Sequence, residues 1–348
     1  MSRLLFVTGT PADVRTGSGT FVGISVLREA LIAAGHEVER IAPAAGGWSL
    51  LSRLALNVRA RRVARTRDYA AIVGFDLDGV FLPRGPRRVA AVKGVIADEL
   101  RFERGLTRAS LRVAALLERR NVRTAARVLA TSRYSASRIR DEYGIALEEI
   151  RVVPEPIDLG RWSAALASAR RVPSDRGTVL CVAHLYRRKR VANLIRAAAL
   201  VETPVHLRIV GVGPELAALR RLASELDLGD RVSFLEHVPF ARLAEEYRNA
   251  DLFCLPTVQE AFGIVFLEAM AAGLPVVACR AAAVPEVVPD GVCGVLVPPD
   301  DALALARSLD RLLSDRAERE RLGEAGRRRV ARYDAPGVAA EFLKAVCE

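Results

Sequence analysis

The sequence predicts an α/β protein made of two Rossmann-like domains, each a doubly wound parallel sheet. Short apolar segments alternate with segments of helical spacing along the chain. This alternation is typical of parallel strands covered by helices on both faces. It pauses at 162–177, where Pro173, Asp175 and Gly177 interrupt it, and then starts again. A length of 348 residues also suits two domains.

The N-terminal half begins with an apolar strand and alternates strands and helices up to Pro154. The expected strands are Leu4–Thr8, Val38–Ala42, Ala70–Phe75, Arg88–Val92, Val128–Thr131 and Ile150–Val153. The expected helices are Phe21–Ala34, Ser52–Arg67, Ser110–Ala126 and Ser135–Tyr143. Gly35 and Gly144 follow two of these helices, as expected for residues at helix C-termini.

The C-terminal half repeats the pattern and ends with an amphipathic helix at Val338–Val346. The expected strands are Val179–Ala183, His206–Val210, Val232–Leu235, Leu252–Leu255 and Pro275–Ala278. The expected helices are Ala192–Val201, Glu215–Leu226, Leu243–Asn249, Ile264–Ala272, Ala302–Leu313 and Arg316–Arg332. We therefore predict domains at 1–165 and 166–332, with 333–348 as a helix that packs back on the first. A ligand is expected between the domains, at the carboxyl ends of the strands.

The composition limits the classes of partner and the compartment. The net charge is +11, and almost all basic residues are arginines, because lysine occurs only at Lys93, Lys189 and Lys344. This charge favours anionic partners. Aromatic residues do not interleave with the arginines, so we do not expect nucleic acid as a partner. No long uncharged apolar run predicts a membrane span, and the N-terminal apolar segment is too short for a signal peptide. The five cysteines show no disulfide or zinc pattern, so a cytoplasmic protein is expected.

The most informative segment is 256–278, where Glu260 and Glu268 lie eight positions apart. Gly263 opens the helix predicted at Ile264–Ala272 closely behind a strand. The first-turn amides of a helix have no partners within it and favour an anion. Glu268 lies roughly 6–7 Å along the helix at about 1.5 Å per residue. A diphosphate at the helix tip is therefore expected to lie between two carboxylates, which can bind hydroxyl groups on either side.

This segment resembles the Glu-x7-Glu region of the retaining glycosyltransferases of family 4, also called group 1, which have the two-domain GT-B fold. The helix glutamate is followed by Ala-Met-Ala-x-Gly-x-Pro-Val-Val-Ala, as in the family. The resemblance implies that Glu268 binds ribose hydroxyls and that Glu260 binds the donor sugar. It also implies that the backbone amides of Phe262, Gly263, Ile264 and Val265 bind the donor. Ala261 stands where the family has glycine.

A basic segment at 184–190, after the first strand of the C-terminal half, is expected to face the same ligand. Fixed cations there would stabilise a departing diphosphate without a metal. The resemblance matches Lys189 to the family's lysine and puts His184 in the place of its arginine, a role that Arg188 or Arg187 could take over. His237 lies where the family's nucleobase contacts fall. The resemblance implies a nucleotide-diphosphate sugar as co-substrate, with no other cofactor and no metal.

The N-terminal half contributes four further candidate residues. Gly17 and Gly19 precede the first helix, where glycines let backbone amides approach a phosphate. Lys93 stands where the family often has a histidine and could bind donor-sugar hydroxyls or an acceptor carboxylate or phosphate, with Asp98 nearby. We count Lys93 with Glu260 and Lys189 as catalytic candidates, and Lys93 with Asp98 as acceptor-binding candidates.

Several alternatives remain open. Asp76 and Asp78 follow a buried strand like the first motif of haloacid-dehalogenase phosphatases, but the later motifs of those enzymes are missing. The fold also occurs in sugar-nucleotide epimerases and phosphorylases, and an inactive donor-binding or scaffold protein fits the departures at His184 and Lys93. The basic stretch from Arg53 to Arg67 could contact the inner face of an anionic membrane or be a solvated surface. The expected function is retaining transfer of a hexosyl unit to a hydroxyl of a glycan, glycolipid or small molecule.

Overall fold

The computed structural model describes residues 1–10, 19–43, 50–172 and 174–348, which form two compact units. The first unit comprises Met1–Ile157 and Tyr333–Glu348, and the second comprises Asp158–Arg332. Each unit contains one six-stranded sheet whose strand pairs are parallel, with helices packed against it. The predicted fold class, two α/β domains with doubly wound parallel sheets, is confirmed.

The first sheet reverses its strand order beside its first strand. Its strands are β1 (Arg3–Val7), β2 (Glu37–Ile41), β3 (Ala71–Phe75), β4 (Arg88–Val92), β5 (Arg127–Ala130) and β6 (Ile150–Val152). The order is β2-β1-β3-β4-β5-β6, so the chain passes from one side of β1 to the other between β2 and β3. Ligands of such sheets bind at the carboxyl ends of the strands near this reversal. In the first unit, residues 8–10 and 76–78 lie there.

Helices cover both faces of the first sheet because successive strand residues face opposite sides. The helices of this unit are α1 (Gly19–Ala33), α2 (Leu50–Val63), α3 (Ile96–Glu99), α4 (Gly105–Thr124), α5 (Arg133–Tyr143) and α14 (Ala335–Cys347). Phe6 packs edge-on against Phe75 and against Phe342 of α14, with ring centroids 5.1 and 5.8 Å apart. The last helix is therefore part of the first unit's core. On the opposite face, Leu5 packs with residues of α2.

The second sheet also reverses its strand order beside its first strand, but it has three strands rather than two on the first side of the reversal. Its strands are β7 (Gly177–Val182), β8 (Val205–Val210), β9 (Val232–Glu236), β10 (Leu252–Leu255), β11 (Val276–Cys279) and β12 (Gly294–Val297). The order is β12-β11-β10-β7-β8-β9, with the reversal between β7 and β10. The helices are α6 (Leu159–Ser168), α7 (Val191–Leu200), α8 (Leu216–Glu225), α9 (Phe240–Asn249), α10 (Ile264–Ala272), α11 (Val284–Val287), α12 (Ala302–Ser314) and α13 (Arg316–Val330).

The boundary between the units lies before α6, at 157/158, rather than at the predicted 165/166. Residues 162–168, which we predicted as the start of a linker, belong to this helix. Asp158 caps its N-terminus by accepting the Arg161 amide at 2.8 Å. Trp162 is buried, and its ring lies 5.0 Å from that of Phe240 and 5.3 Å from that of Tyr247. Because these partners lie in the second unit, α6 folds with that unit.

Candidate functional site

The reversal point of the second sheet brings together the two loops that the sequence analysis singled out. The loop after β7 carries Lys189, and the loop after β10 carries Glu260. The Val258 amide donates to the Arg188 carbonyl at 3.0 Å, and the Thr257 hydroxyl donates to the same carbonyl at 3.2 Å. These two bonds hold the loops side by side.

Lys189 and Glu260 form an ion pair at this point, in which Nζ donates to Oε1. Their side chains are only 13% and 10% exposed. Partial burial weakens solvent screening, so the pair stays associated more firmly than one on the surface. An ammonium has three N–H donors, so one bond to Glu260 does not exhaust it. The structure thus places two of the predicted catalytic residues in contact.

The N-terminus of α10 lies directly after the Glu260 loop. Its first flanking residue, Gly263, has φ of +93°, and a Cβ there would collide with the Phe266 ring. Only glycine fits this turn without strain. Phe262 before it is buried, and the chain enters the helix at Ile264. The first-turn amides, including those of Ile264 and Val265, have no acceptors within the helix and carry its positive dipole end.

Glu268 lies on α10 with its carboxylate nearly buried and bonded to a residue that the sequence analysis missed. It is 8% exposed, and its Oε2 accepts a hydrogen bond from the Tyr247 hydroxyl of α9 at 2.8 Å. Burial raises the pKa of Glu268 to about 7, while the Tyr247 hydrogen bond acts in the opposite direction. The hydroxyl fixes one carboxylate oxygen. The predicted ribose contact through Glu268 therefore concerns the other oxygen.

The remaining predicted donor-binding side chains of the second unit are less buried. His184 and Tyr186 have ring centroids 6.2 Å apart, and the Arg188 guanidinium lies 4.7 Å from the Tyr186 ring. His237 is exposed after β9. The 183–185 segment packs closely on the Gly211-Val212-Gly213 turn. The approach is so close that a Cβ on Gly213 would collide with the Leu185 backbone. That turn supports the backbone before Lys189.

In the first unit, Lys93 is buried against a carboxylate that we did not predict as a partner. Its Nζ donates to Glu155 Oε2 at 2.9 Å, and the two side chains are 7% and 5% exposed. The Lys93 amide donates to Asp76 Oδ1 at 2.7 Å. The predicted lysine thus sits at the carboxyl ends of the strands, as expected, but as half of an ion pair.

Asp98 does not lie open to a ligand. Its carboxylate accepts the Tyr134 hydroxyl at 2.7 Å and pairs with Arg138 at 3.2 Å. The residue is 1% exposed. This burial does not favour the acceptor contact that we predicted for Asp98, and its contacts instead tie α3 to α5.

The Asp-x-Asp segment after β3 supports the loops of the first unit. Asp78 is buried, accepts the Gly9 amide at 2.5 Å and pairs with Arg53 at 2.6 Å. Asp76 accepts the amides of Lys93 and Gly94. Burial raises the pKa of Asp76 to about 7. Within the described ranges, no group of three or more histidine, cysteine, aspartate or glutamate side chains is arranged to hold a metal ion.

Of the two glycines that we expected near a phosphate, the structure describes Gly19. Gly17 lies outside the described residues. Gly19 is the first residue of α1, and a Cβ there would meet nothing within 4 Å. A larger side chain would therefore fit at position 19 as well as glycine does. The predicted phosphate contact of Gly19 stays a prediction.

Two family models match successive parts of the chain. The model described as glycosyl transferases group 1 matches residues 165–329, and the model described as glycosyltransferase family 4 matches residues 17–161. None of the described helices is long and apolar enough to cross a membrane.

Named relatives and solved structures agree with these matches. A GDP-mannose-dependent alpha-(1-6)-phosphatidylinositol monomannoside mannosyltransferase of Mycobacterium tuberculosis is 31% identical over 88% of this chain and 81% of its own. A D-inositol 3-phosphate glycosyltransferase of Nocardia farcinica is 35% identical over 59% of this chain and 49% of its own. As in that case, the chain spans about half the length of several curated relatives that it matches. A sucrose-phosphate synthase structure from Thermosynechococcus elongatus covers 99% of this chain and 98% of its own with a TM-score of 0.82 and 24% identity, which shows the shared fold.

Proposed function

Because the chain belongs to the group 1 glycosyltransferases of family 4, we propose that it moves a hexosyl unit from a nucleotide-diphosphate sugar to an acceptor hydroxyl with retention. The observation that carries this proposal is the Lys189–Glu260 pair beside the first turn of α10. It offers a cation, a helix dipole and a hydroxyl-binding carboxylate at one strand-reversal point. Those are the groups that a diphosphate carrying a sugar requires.

The diphosphate would be bound at the tip of α10. The first-turn amides donate hydrogen bonds to phosphate oxygens, and the helix dipole favours their charge. Lys189 adds a full positive charge in a site with restricted solvent. This charge matters most when the leaving group departs, because an electrostatic group stabilises the transition state where charge develops. We therefore propose that the transfer needs no metal ion and no cofactor besides the donor.

The sugar and the ribose would be bound on either side of the diphosphate. Glu260 accepts hydrogen bonds from hydroxyls of the transferred sugar, and its pairing with Lys189 fixes its orientation. Glu268 accepts from the ribose through the oxygen that Tyr247 does not bind. The amides of Phe262 and Gly263 lie between these positions in the chain, where they would bind donor oxygens.

The proposed chemical step follows from this arrangement of the bound donor. The bond between the anomeric carbon and the phosphate oxygen breaks, and its electron pair remains on the phosphate. The acceptor oxygen forms its bond to the anomeric carbon on the same face, which retains the configuration. The acceptor proton passes to the departing phosphate oxygen. Lys189 and the α10 amides stabilise the charge of the resulting nucleoside diphosphate.

A donor screen tests the proposal. The full chain is incubated with GDP-mannose, UDP-glucose or ADP-glucose, with chelator present, and with or without a mixture of mannosides and inositol phosphates. One donor should raise the melting temperature according to its affinity. Proton NMR should show an α-linked product only when an acceptor is present. Turnover of the donor alone to an epimer or a sugar phosphate would contradict transfer, and a strict need for added metal would contradict the metal-free step.

We further propose that an anionic lipid surface presents the acceptor, and that α4 contacts it. Leu106, Val113 and Leu116 lie on one side of α4 and are 90%, 44% and 64% exposed. Exposed arginines on the same helix include Arg108 and Arg112. An apolar stripe among basic residues is typical of helices that lie on anionic membranes. Of the basic stretch that we considered for this role, Arg53 instead points inward to Asp78.

Vesicle flotation tests the lipid contact. The chain should float with vesicles containing phosphatidylglycerol and remain unbound with phosphatidylcholine alone. The double variant Leu106→Ser, Leu116→Ser should lose most of this binding. Leu303→Ser in α12 is the control, because that leucine is exposed, at 50%, on a different helix. Equal flotation of both variants would remove α4 from the proposal.

A further inference from the structure

The Lys93–Glu155 pair differs from the other lysine–glutamate pair in what surrounds it. Lys93 directly follows β4, and Glu155 follows β6, with β5 between these strands in the sheet. The pair therefore spans the carboxyl ends of three neighbouring strands. Both side chains are more than nine-tenths buried, and the ammonium lies 5.8 Å from the centroid of the Phe75 ring.

The backbone holds both partners in place before any ligand arrives. Glu155 stands between Pro154 and Pro156, whose rings fix φ on either side. Just beyond, the Ile157 amide donates to the Tyr333 carbonyl at 2.9 Å. On the other side, Asp76 accepts the Lys93 amide. The pair is thus preorganised, and its geometry does not depend on long flexible loops.

The charge at this edge is balanced rather than positive. Lys93 contributes one cation, Glu155 one carboxylate, and Asp76 lies beside the Lys93 backbone. Among the described residues, Glu155 is the hydrogen-bond acceptor of the Lys93 ammonium. A phosphate that approached Lys93 would meet the Glu155 carboxylate within a few ångströms of it, and in partly buried surroundings that repulsion is weakly screened.

We propose that the Lys93–Glu155 pair binds an uncharged sugar hydroxyl, and that Glu155 is the residue that excludes phosphate and carboxylate there. A hydroxyl can accept from a second Lys93 N–H and donate to the second Glu155 oxygen, so both halves of the pair gain a partner. A small cavity of about 10 Å³ beside Lys93, lined by Thr131, Pro154 and apolar side chains, has room for a single hydroxyl group. This inference rests on the proposed transfer, and it selects hydroxyls over the anionic groups that Lys93 alone would permit.

The test compares methyl α-D-mannoside with mannose 6-phosphate by saturation-transfer NMR on the full chain. The part of each signal that Lys93→Met removes reports binding at this pair. Wild type should bind the neutral sugar here at least about tenfold more tightly than the phosphorylated one. Glu155→Gln, which keeps the shape and removes the negative charge, should reverse this preference by a similar factor. Lys93→Met with Glu155→Gln should bind neither.

Circular dichroism and melting curves confirm that each variant is folded. Glu155→Asp is the conservative variant and should restore the preference of the wild type for the neutral sugar. A wild-type preference for mannose 6-phosphate, no Lys93-dependent signal from the neutral sugar, or an unchanged preference in folded Glu155→Gln would each overturn the inference. Stabilisation by GDP or UDP is measured in parallel. Its absence would count against the proposed transfer and would leave the comparison of the two sugars interpretable.

Discussion

The two units each have a six-stranded parallel sheet with one reversal of strand order, and each carries a lysine–glutamate pair at the carboxyl ends of its strands, yet the surroundings of the pairs differ. In the second unit, Lys189 and Glu260 lie beside a helix N-terminus that begins with Gly263. In the first unit, Lys93 and Glu155 lie near the carboxylate of Asp76. In the second unit, the positive dipole end of α10 lies beside the pair. In the first unit, the pair lies instead beside Asp76, a buried carboxyl whose pKa is raised to about 7, and gains no positive charge from it. The same pair thus suits a diphosphate in one unit and an uncharged hydroxyl in the other.

The largest expected effect is on the free energy of unfolding and comes from removing the buried Asp78 carboxylate of the first unit. Asp78→Ala removes the acceptor of the Gly9 amide and the partner of Arg53, and it leaves a largely buried guanidinium unpaired. We expect a loss of about 3–5 kcal/mol in the free energy of unfolding. Urea unfolding measures it, with the exposed Asp68→Ala as control, which should change stability little. An unchanged midpoint for Asp78→Ala would mean that this carboxylate does not hold the edge of the sheet.

The next largest expected effect is on the rate of transfer and comes from removing the Lys189 cation of the second unit. Lys189→Met should lower kcat/KM by about 10²- to 10³-fold, as for the loss of one group that stabilises developing charge. Steady-state kinetics with the donor found by the screen measure this. Lys344→Met on α14 is the matched control, because that lysine is exposed and should leave the rate unchanged. Equal rates for the two variants would break the comparison.

The pH dependence of stability tests the burial of Glu268. Because burial raises the pKa of Glu268 from 4.5 to about 7, the folded chain holds a proton that the unfolded chain has lost between these values. This group's contribution is therefore full below pH 4.5 and falls as the pH rises through 7, by at most about 3 kcal/mol. Comparing the free energies of unfolding of wild type and Glu268→Gln at several pH values between 4.5 and 7 isolates the contribution of Glu268. A difference between them that does not change with pH would contradict the assignment.

The smallest expected effect concerns the hydroxyl that orients Glu268. Tyr247→Phe removes one buried hydrogen bond and should lower the free energy of unfolding by about 1–2 kcal/mol. It should also raise KM for the donor several-fold with little change in kcat, because ribose contacts act on binding. Tyr186→Phe, at an exposed ring, serves as the control for the unfolding measurement. A larger effect on kcat than on KM would place Glu268 closer to the reacting atoms than we propose.

The sequence predicted what depends on local pattern and missed what depends on distant partners. The apolar strands up to β11 and the α10 segment were readable because burial on both faces leaves continuous apolar runs. Strand β12 was not predicted because Gly294–Val297 is short and directly follows a turn. Helix α6 escaped because its apolar face is recognised only once Trp162 meets Phe240.

The sites show the same division. Lys189 and Glu260 were found because a family motif marks each of them. Glu155 was visible as a departure from the motif, but its pairing with a lysine 62 positions earlier requires the sheet order. Tyr247 carries no motif and reaches Glu268 only through the packing of α9 on α10. The burial of Asp98 likewise depends on Tyr134 and Arg138, which lie on another helix.

A crystal structure with GDP or UDP bound most directly tests the claim that the second unit holds the anion. The account predicts the diphosphate on the first-turn amides of α10, with the Lys189 ammonium in contact with a phosphate oxygen and the Lys93–Glu155 pair free of phosphate. A diphosphate bound at Lys93, or an occupied nucleotide site that leaves the tip of α10 empty, would contradict it.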